Sequence, residues 1–205
     1  MRKDRNMAAF RLRTPVSEAE ARKPTIGDSV YVSGTMITAR DQAHRRALEY
    51  AKVGRKIPVS FDGGIVFHCG PIAAKQGDKW TIIAAGPTTS TRMESYEAEF
   101  IEQFKPRIIV GKGGMGSKTA QAAKRFGAIF CDFTGGAAVL ASQRIKAVKG
   151  VEWYDLGMPE ALWILEVEEF GPLAVTIDSQ GKNLHDIVQG QAQRRRAEIL
   201  KTLGV

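Results

Sequence analysis

The chain has 205 residues, a formal net charge of +8, and 43% hydrophobic and 25% charged residues. Those proportions fit one folded domain with a substantial core plus tails, and exclude a wholly disordered chain. The positive balance, with a pI near 9.6, favours anionic company: nucleic acid, a membrane surface or small acidic substrates.

Residues 1–13 read as a solvated basic tail, with no sustained apolar stretch of the kind a secretory signal needs. No run reaches the length of a membrane span, so no membrane partner and a cytoplasmic location are expected. A strand is expected at 29–34, a helix at about 41–52, and strands at 64–69 and 80–86. Then come a helix at 92–104, a strand at 107–112, a helix at 117–126, a strand at 128–133 and a helix at 137–148. Strands follow at 151–156, 162–170 and 173–178. Met93, Tyr96, Phe100 and Phe104 recur at helical spacing, and Ser117 is an expected N-cap. Residues 189–205 read as a helical tail with a basic cluster, Arg194 to Arg196, which lacks aromatic neighbours and so argues for a solvated face rather than a nucleic-acid module. Strand, loop and helix in repetition predict an α/β fold with at least part of the sheet parallel. Cys69 in "FHCGPI" and Cys131 in "AIFCDF" lie in apolar segments and read as buried thiols of a reducing compartment.

Three loops after strands offer cations or hydroxyls, where parallel sheets place ligands. In "SGTMITARDQAH", Arg40 and His44 are four apart at a helix start. In "AAGPTTSTRMES", Thr88, Thr89 and Arg92 follow a Gly86-Pro87 turn. "GKGGMGSKT" carries Lys112. The third fits a phosphate loop from Gly111 to Gly116 and then departs from it, because Ser117 holds the lysine position and Lys118 comes one residue late, a turn of about 100° on a helix. Taken singly, each loop has an ordinary reading: a surface ion pair for Arg40, simple caps for the threonines, a solvated ammonium for Lys112. Together, two arginines and a lysine describe a pocket for a small anion with two carboxylates, since a guanidinium grips a carboxylate at two points. His44 reads as an orienter of Arg40, a proton shuttle or a helix-start hydrogen bonder. His68, in an apolar run, reads as a core histidine. Met36, Met115 and Met158 sit beside the loops as candidates for either an exposed patch or the core.

The segments "SGTMITARDQAH", "FHCGPI", "AAGPTTSTRMESYEAEF", "GKGGMG", "GGAAVLA" and "DLGMPEALWILEVEEFGPLAV" together resemble the β subunit of the iron–sulfur class I fumarate hydratases and L(+)-tartrate dehydratases, in matching order, from about Thr14 to Leu184. The resemblance implies a swivelling β/β/α domain over 14–188, in three layers, with a partly parallel central sheet and a second antiparallel sheet. It implies a hydro-lyase that reversibly hydrates fumarate to L-malate, or alternatively dehydrates tartrate to oxaloacetate. Arg40, Arg92 and Lys112 match residues that contact substrate carboxylates. Thr88 matches the residue that takes a proton from carbon, with Thr89 beside it and His44 near. The family's four-iron four-sulfur cluster needs three cysteine thiolates, which two buried cysteines cannot supply. No metal site is therefore expected in this chain, and the cluster is expected in a larger α subunit, in an α2β2 assembly active only when complete. A nucleotide-binding protein using the Gly111–Thr119 loop, with Asp132 as a magnesium ligand, is the competing reading.

Overall fold

The structure is a computed structural model that describes residues 7–203; residues 1–6 and 204–205, parts of the two expected tails, lie outside the described residues. Its strands are β1 (Ala9–Arg13), β2 (Ser29–Thr38), β3 (Ile65–Phe67), β4 (Ile72–Gln76), β5 (Lys79–Ala84), β6 (Ile108–Gly111), β7 (Ile129–Asp132), β8 (Ile145–Glu152) and β9 (Leu162–Ile177). The helices are α1 (Glu18–Ala21), α2 (Asp41–Lys52), α3 (Glu94–Phe104), α4 (Ser117–Phe126), α5 (Ala138–Gln143) and α6 (Leu184–Leu203), with a 3-10 turn at Ser90–Met93 leading into α3.

Seven strands form a mixed sheet in the order β1-β2-β3-β6-β7-β9-β8, and β4 and β5 form a separate antiparallel pair. The β1–β2, β2–β3, β3–β6 and β6–β7 pairings are parallel, whereas β9 runs antiparallel to β7, β8 and β2. Because β9 pairs with β7 and also with β2, the strands β2-β3-β6-β7-β9 close on themselves. Short strands buried on both faces explain their unbroken apolar runs. Ile65 and Phe67, Ile108 and Val110, and Ile129 and Cys131 belong to one cluster with Phe170 and Trp163. The alternate residues Val66, Ile109 and Phe130 belong to the clusters that also hold residues of α2, α3 and α4. The period of two along a strand assigns these faces.

Three expected elements are corrected, and one expected boundary falls inside a helix. Residues 9–13, expected in a solvated tail, form β1, with Ala9 opposite Ser29 and Arg13 opposite Ser33. In "AFRLR", Phe10 and Leu12 reach the core while Arg11 and Arg13 are exposed, a half-buried alternation that the basic residues mask. The helix expected over 137–148 stops at Gln143 and gives way to β8. β8 pairs with β9 through register shifts between Ile145 and Ala147 and between Val148 and Gly150, so its apolar residues fall at helix-like spacing. The two strands expected at 162–170 and 173–178 are one strand, β9, which continues through Gly171-Pro172. The expected tail boundary at 188 falls inside α6, which begins at Leu184.

Phe170 on β9 is fully buried, with its ring centroid 5.4 Å from that of Phe67 and 5.1 Å from that of Phe133. Phe170→Ala is expected to lower stability by about 3–5 kcal/mol, the usual cost of emptying a large aromatic site. The check is urea denaturation with an unchanged slope; a loss under about 1 kcal/mol would show that β9 does not hold the strand ring together.

Candidate functional site

The parallel strands β2, β3, β6 and β7 point their carboxyl ends to one edge, where the loops of open α/β sheets gather ligands. Arg40 follows β2 and is the N-cap of α2. Residues 87–90 cross the ends of β3 and β6 in an extended run. Pro87 bridges Cys69, the Thr88 N–H donates to the His68 carbonyl at 2.6 Å, Thr89 bridges Lys112, and the Ser90 N–H donates to the Lys112 carbonyl at 2.9 Å. This crossing brings the Thr88 loop to the lysine loop. Gly111 is required by the same approach, because a Cβ there would overlap Ser90 Oγ and lie 3.2 Å from His68 Nδ1.

Each arginine is paired with a carboxylate of its own. Arg92 Nη2 donates to Asp41 Oδ2 at 2.7 Å, and Arg40 Nε lies 3.2 Å from Glu160 Oε1. Glu160 Oε2 also accepts the Gln42 N–H at 2.9 Å. Each guanidinium thus stands beside one carboxylate, Arg92 in a hydrogen bond and Arg40 in an ion pair at Nε. Lys112 is half-buried and has no ion-pair partner among the described residues, Thr88 is half-buried, and Thr89 is exposed. Backbone bonds thus tie Thr88, Thr89 and Lys112 together, and Arg92 is paired with Asp41, the residue after Arg40.

His44 is not on that surface. It is fully buried, as are His68 and Glu97. Its Nδ1 lies 2.8 Å from the Arg40 carbonyl and its Nε2 lies 3.4 Å from Glu97 Oε2. His68 Nε2 lies 2.9 Å from the same Glu97 oxygen, and its Nδ1 lies 2.9 Å from Ser90 Oγ, which in turn accepts the Lys112 N–H at 3.2 Å. Proton positions follow from these partners. Both nitrogens of His44 face acceptors that cannot donate, so the ring carries two protons and a positive charge. His68 faces Glu97 with Nε2, as an ion-pair contact without hydrogen-bond geometry, and accepts the Ser90 hydroxyl at Nδ1, the pattern of a neutral ring. Burial disfavours a charged His44, but Glu97 and the Arg40 carbonyl outweigh it and its pKa is raised. For His68 burial wins over Glu97 and the pKa is lowered. Burial also opposes ionised Glu97, yet the two histidines bring it down to about 2. These three side chains also carry the donor atoms of a possible metal site, all within 4.8 Å of one another.

Sequence reading missed Glu97, Ser90, Glu160 and Glu94. For Glu97 a signal existed: it stands four residues after Met93 and three before Phe100, on the buried stripe of α3.

The helix start that resembles a phosphate loop is already occupied. The Glu94 carboxylate accepts the N–H of Gly116 at 2.7 Å, of Lys118 at 3.0 Å and of Thr119 at 3.4 Å, and the Thr119 hydroxyl at 2.7 Å. Gly116, not Ser117, is the N-cap, and the cap comes from α3. Asp132, the expected magnesium ligand, instead holds the Gly114 N–H at 3.2 Å and the His185 ring at 2.8 Å. The nucleotide reading is therefore corrected: the positive helix end is filled by the chain's own anion.

Met36 and Met115 are core residues, and Met158 packs against the core. The exposed apolar side chains beside the Thr88 turn are others. The Ala85 N–H donates to the Ala138 carbonyl, which sets α5 next to Gly86, and Val139 and Leu140 of α5 and Ile83 of β5 are all exposed.

The sequence model of the fumarase C-terminus family matches residues 1–188. The chain belongs to that family. It is 47% identical over 173 residues, 84% of this chain and 85% of the relative, to the "L(+)-tartrate dehydratase subunit beta" of Escherichia coli (strain K12). It is 38% identical over 186 residues, 90% of this chain and 95% of the relative, to the "Putative L(+)-tartrate dehydratase subunit beta" of Methanocaldococcus jannaschii. A "Putative fumarate hydratase class I" of Geobacillus stearothermophilus is 38% identical over 197 residues, 96% of this chain but 37% of that longer protein. Among the described residues of this fumarase C-terminus protein, no helix is long and apolar enough to cross a membrane. Cys69 and Cys131 are buried free thiols whose pKa values burial pushes far up. Two such thiols, one just past β3 and one on β7, do not fit a cluster that requires three thiolates.

Two outcomes are expected of this geometry. Glu94→Gln removes the charge that caps α4 and is expected to cost about 1–3 kcal/mol, the range for hydrogen bonds to a charged group, without producing a thermal shift with ATP. A nucleotide-dependent shift in either protein would restore the phosphate-loop reading. The buried network also gives a pH signature. The raised pKa of His44 contributes stability below its ordinary value of 6.5 that is lost as pH rises through the folded value. The lowered pKa values of His68 and Glu97 contribute stability above 6.5 and 4.5 that is lost as pH falls through their folded values. The stability difference between wild type and Glu97→Gln, measured by urea denaturation across pH, is therefore expected to be largest near neutrality and to shrink on both sides. A difference independent of pH would show that these groups are not ionised as assigned.

Proposed function

We propose that this chain is the β subunit of a two-subunit hydro-lyase acting on a four-carbon dicarboxylate, by reversible hydration of fumarate to L-malate. The observation that carries this reading is the gathering of Arg40, Arg92, Lys112 and Thr88 at one sheet edge by backbone bridges and ion pairs, in a chain of the fumarase C-terminus family. The dehydration of L-tartrate to oxaloacetate is a second reading, favoured by the name of the 47% identical relative.

In the hydration direction water adds across the double bond; in reverse a proton leaves one carbon and a hydroxyl leaves its neighbour. The arginines and Lys112 bind the two carboxylates and place the carbon bearing that proton against the Thr88 hydroxyl. A threonine is a weak base, so the cations around it lower the cost of its ionised form. The Thr88 N–H bond to the His68 carbonyl fixes where that hydroxyl is presented. Thr89, next in the chain and exposed, lines the mouth of the site. The family's cluster supplies a Lewis acid when present, and it belongs to a partner α subunit in an α2β2 assembly. Exposed Val139, Leu140 and Ile83 beside the Thr88 turn are the surface that such a partner covers to exclude water. The three-layer swivelling arrangement belongs to this reading, with β2 and β6 of the parallel sheet carrying the Arg40 and Lys112 loops and β5 of the antiparallel pair carrying the Thr88 loop.

The test is hydration of fumarate and dehydration of tartrate by the chain alone and by the chain assembled anaerobically with its α partner. The chain alone is expected to be inert, and turnover without the partner would overturn the assignment. In the assembled enzyme, Arg92→Lys is expected to weaken substrate by about 1.5–3 kcal/mol, as a two-point grip becomes a point charge. Thr88→Ala is expected to lower turnover on the order of 100-fold with assembly intact; near-normal turnover would move the base to the partner.

A further inference from the structure

We propose that Glu97 is a specificity-determining positioning residue, whose one carboxylate oxygen sets the spacing between Arg40 and Lys112 and so the length of dicarboxylate that the site accepts. The proposal rests on the dicarboxylate reading above. Glu97 touches neither loop. It reaches Arg40 through His44, whose ring holds the Arg40 carbonyl at 2.8 Å, and it reaches Lys112 through His68 and Ser90, whose Oγ holds the Lys112 N–H at 3.2 Å. The His68 carbonyl holds Thr88 on the same branch. Both branches meet at Oε2, 3.4 Å from His44 and 2.9 Å from His68. The two cation-bearing loops are thus tied to a common point, and neither is held in that way by the strands, which end before them.

The surroundings make this tie stiff. The His44 and His68 rings stand edge to face at 5.3 Å, with Phe100 at 4.5 Å from His44 and Phe130 at 6.4 Å from His68. Asp41, at the start of α2, is the further charge acting on both histidines, and it is engaged by Arg92. With no exposed surface on the three side chains, water cannot replace a lost partner, so the carboxylate must keep both rings in place. Each ring has a hydrogen-bond partner at Nδ1, whereas the two Nε2 atoms and Glu97 Oε2 meet at 3.4 and 2.9 Å as ion pairs without hydrogen-bond geometry.

Nitrogen-15 NMR of the histidine rings in the full chain at neutral pH tests the tie directly. Two protons are expected on the His44 ring and one, on Nε2, on the His68 ring. Equal states of the two rings would overturn the proposal. So would a stoichiometric metal ion whose removal by a chelator shifts both ring signals, since Nε2 would then bind metal and not Glu97. Calorimetric binding of malonate, succinate and glutarate to the assembled enzyme tests the consequence. Wild type is expected to prefer the four-carbon diacid, and Glu97→Gln, folded by circular dichroism, is expected to reduce that preference about 10-fold, the effect of losing one charged hydrogen-bonded tie. Ser90→Ala cuts only the Lys112 branch and is expected to act in the same direction, which keeps the test decisive if Glu97→Gln does not fold. A preference retained in folded variants overturns the positioning role alone, whereas a wild-type enzyme that binds no dicarboxylate overturns both the role and the functional reading beneath it.

Discussion

A carboxylate with no exposed surface needs counter-charge close by, and Glu97 Oε2 is faced by two histidines from different parts of the chain. Taking such a charge from water costs several kcal/mol even after relaxation, a cost that the charged His44 ring and the His68 ring beside it offset. That demand fixes how α3 sits against α2 and against the end of β3. The helix cannot slide or rotate without leaving a buried charge unpaired. The apolar neighbours Phe61, Phe100 and Phe104, stacked at 4.8–5.9 Å, fill the space around it but would tolerate small shifts that the charge does not.

The strand ring supplies the second constraint. β9 runs antiparallel to its neighbours and pairs with both β2 and β7, which leaves the parallel strands no open edge inside the ring. Closure of this kind holds the carboxyl ends of β2, β3, β6 and β7 at fixed separations. The loops that follow are then tuned by short links rather than by strand pairing: Thr89 to Lys112, Cys69 to Pro87, Glu94 to the start of α4. Glu94 is instructive, because a glycine-rich turn before a helix is an anion site whatever fills it. Here the anion is internal, and it leaves the Lys112 side chain on the other flank of the turn.

How much of this was legible in the sequence depends on the range of the interaction. Arg40, Thr88, Thr89, Arg92 and Lys112 were visible because each stands in a polar or glycine-rich turn directly after an apolar strand, a local pattern. β1 was hidden by its arginines, and β8 by bulges that turned a period of two into a spacing of three. Glu97 was the harder case. A charge on an apolar helical stripe says that something buried must answer it, but the answering residues are His44 and His68, far along the chain, and no spacing rule connects them. His44 was read beside Arg40, and its ring does hold the Arg40 carbonyl; its burial, which puts it out of reach of any ligand, emerged only from the packing of α2 on α3.

Glu160 and Asp41 reduce the net positive charge that a dianion would meet, which by itself weakens binding. They also hold two long side chains in single arrangements before any ligand arrives, and each such side chain carries about 2 kcal/mol of rotamer entropy that would otherwise be lost on binding. The same trade appears in the buried network, where ionised groups are kept at a desolvation cost for the sake of position. A site for a small, flexible dianion gains more from cations at a fixed separation than from cations of maximal charge, because attraction alone does not distinguish one diacid from another, whereas a fixed separation does.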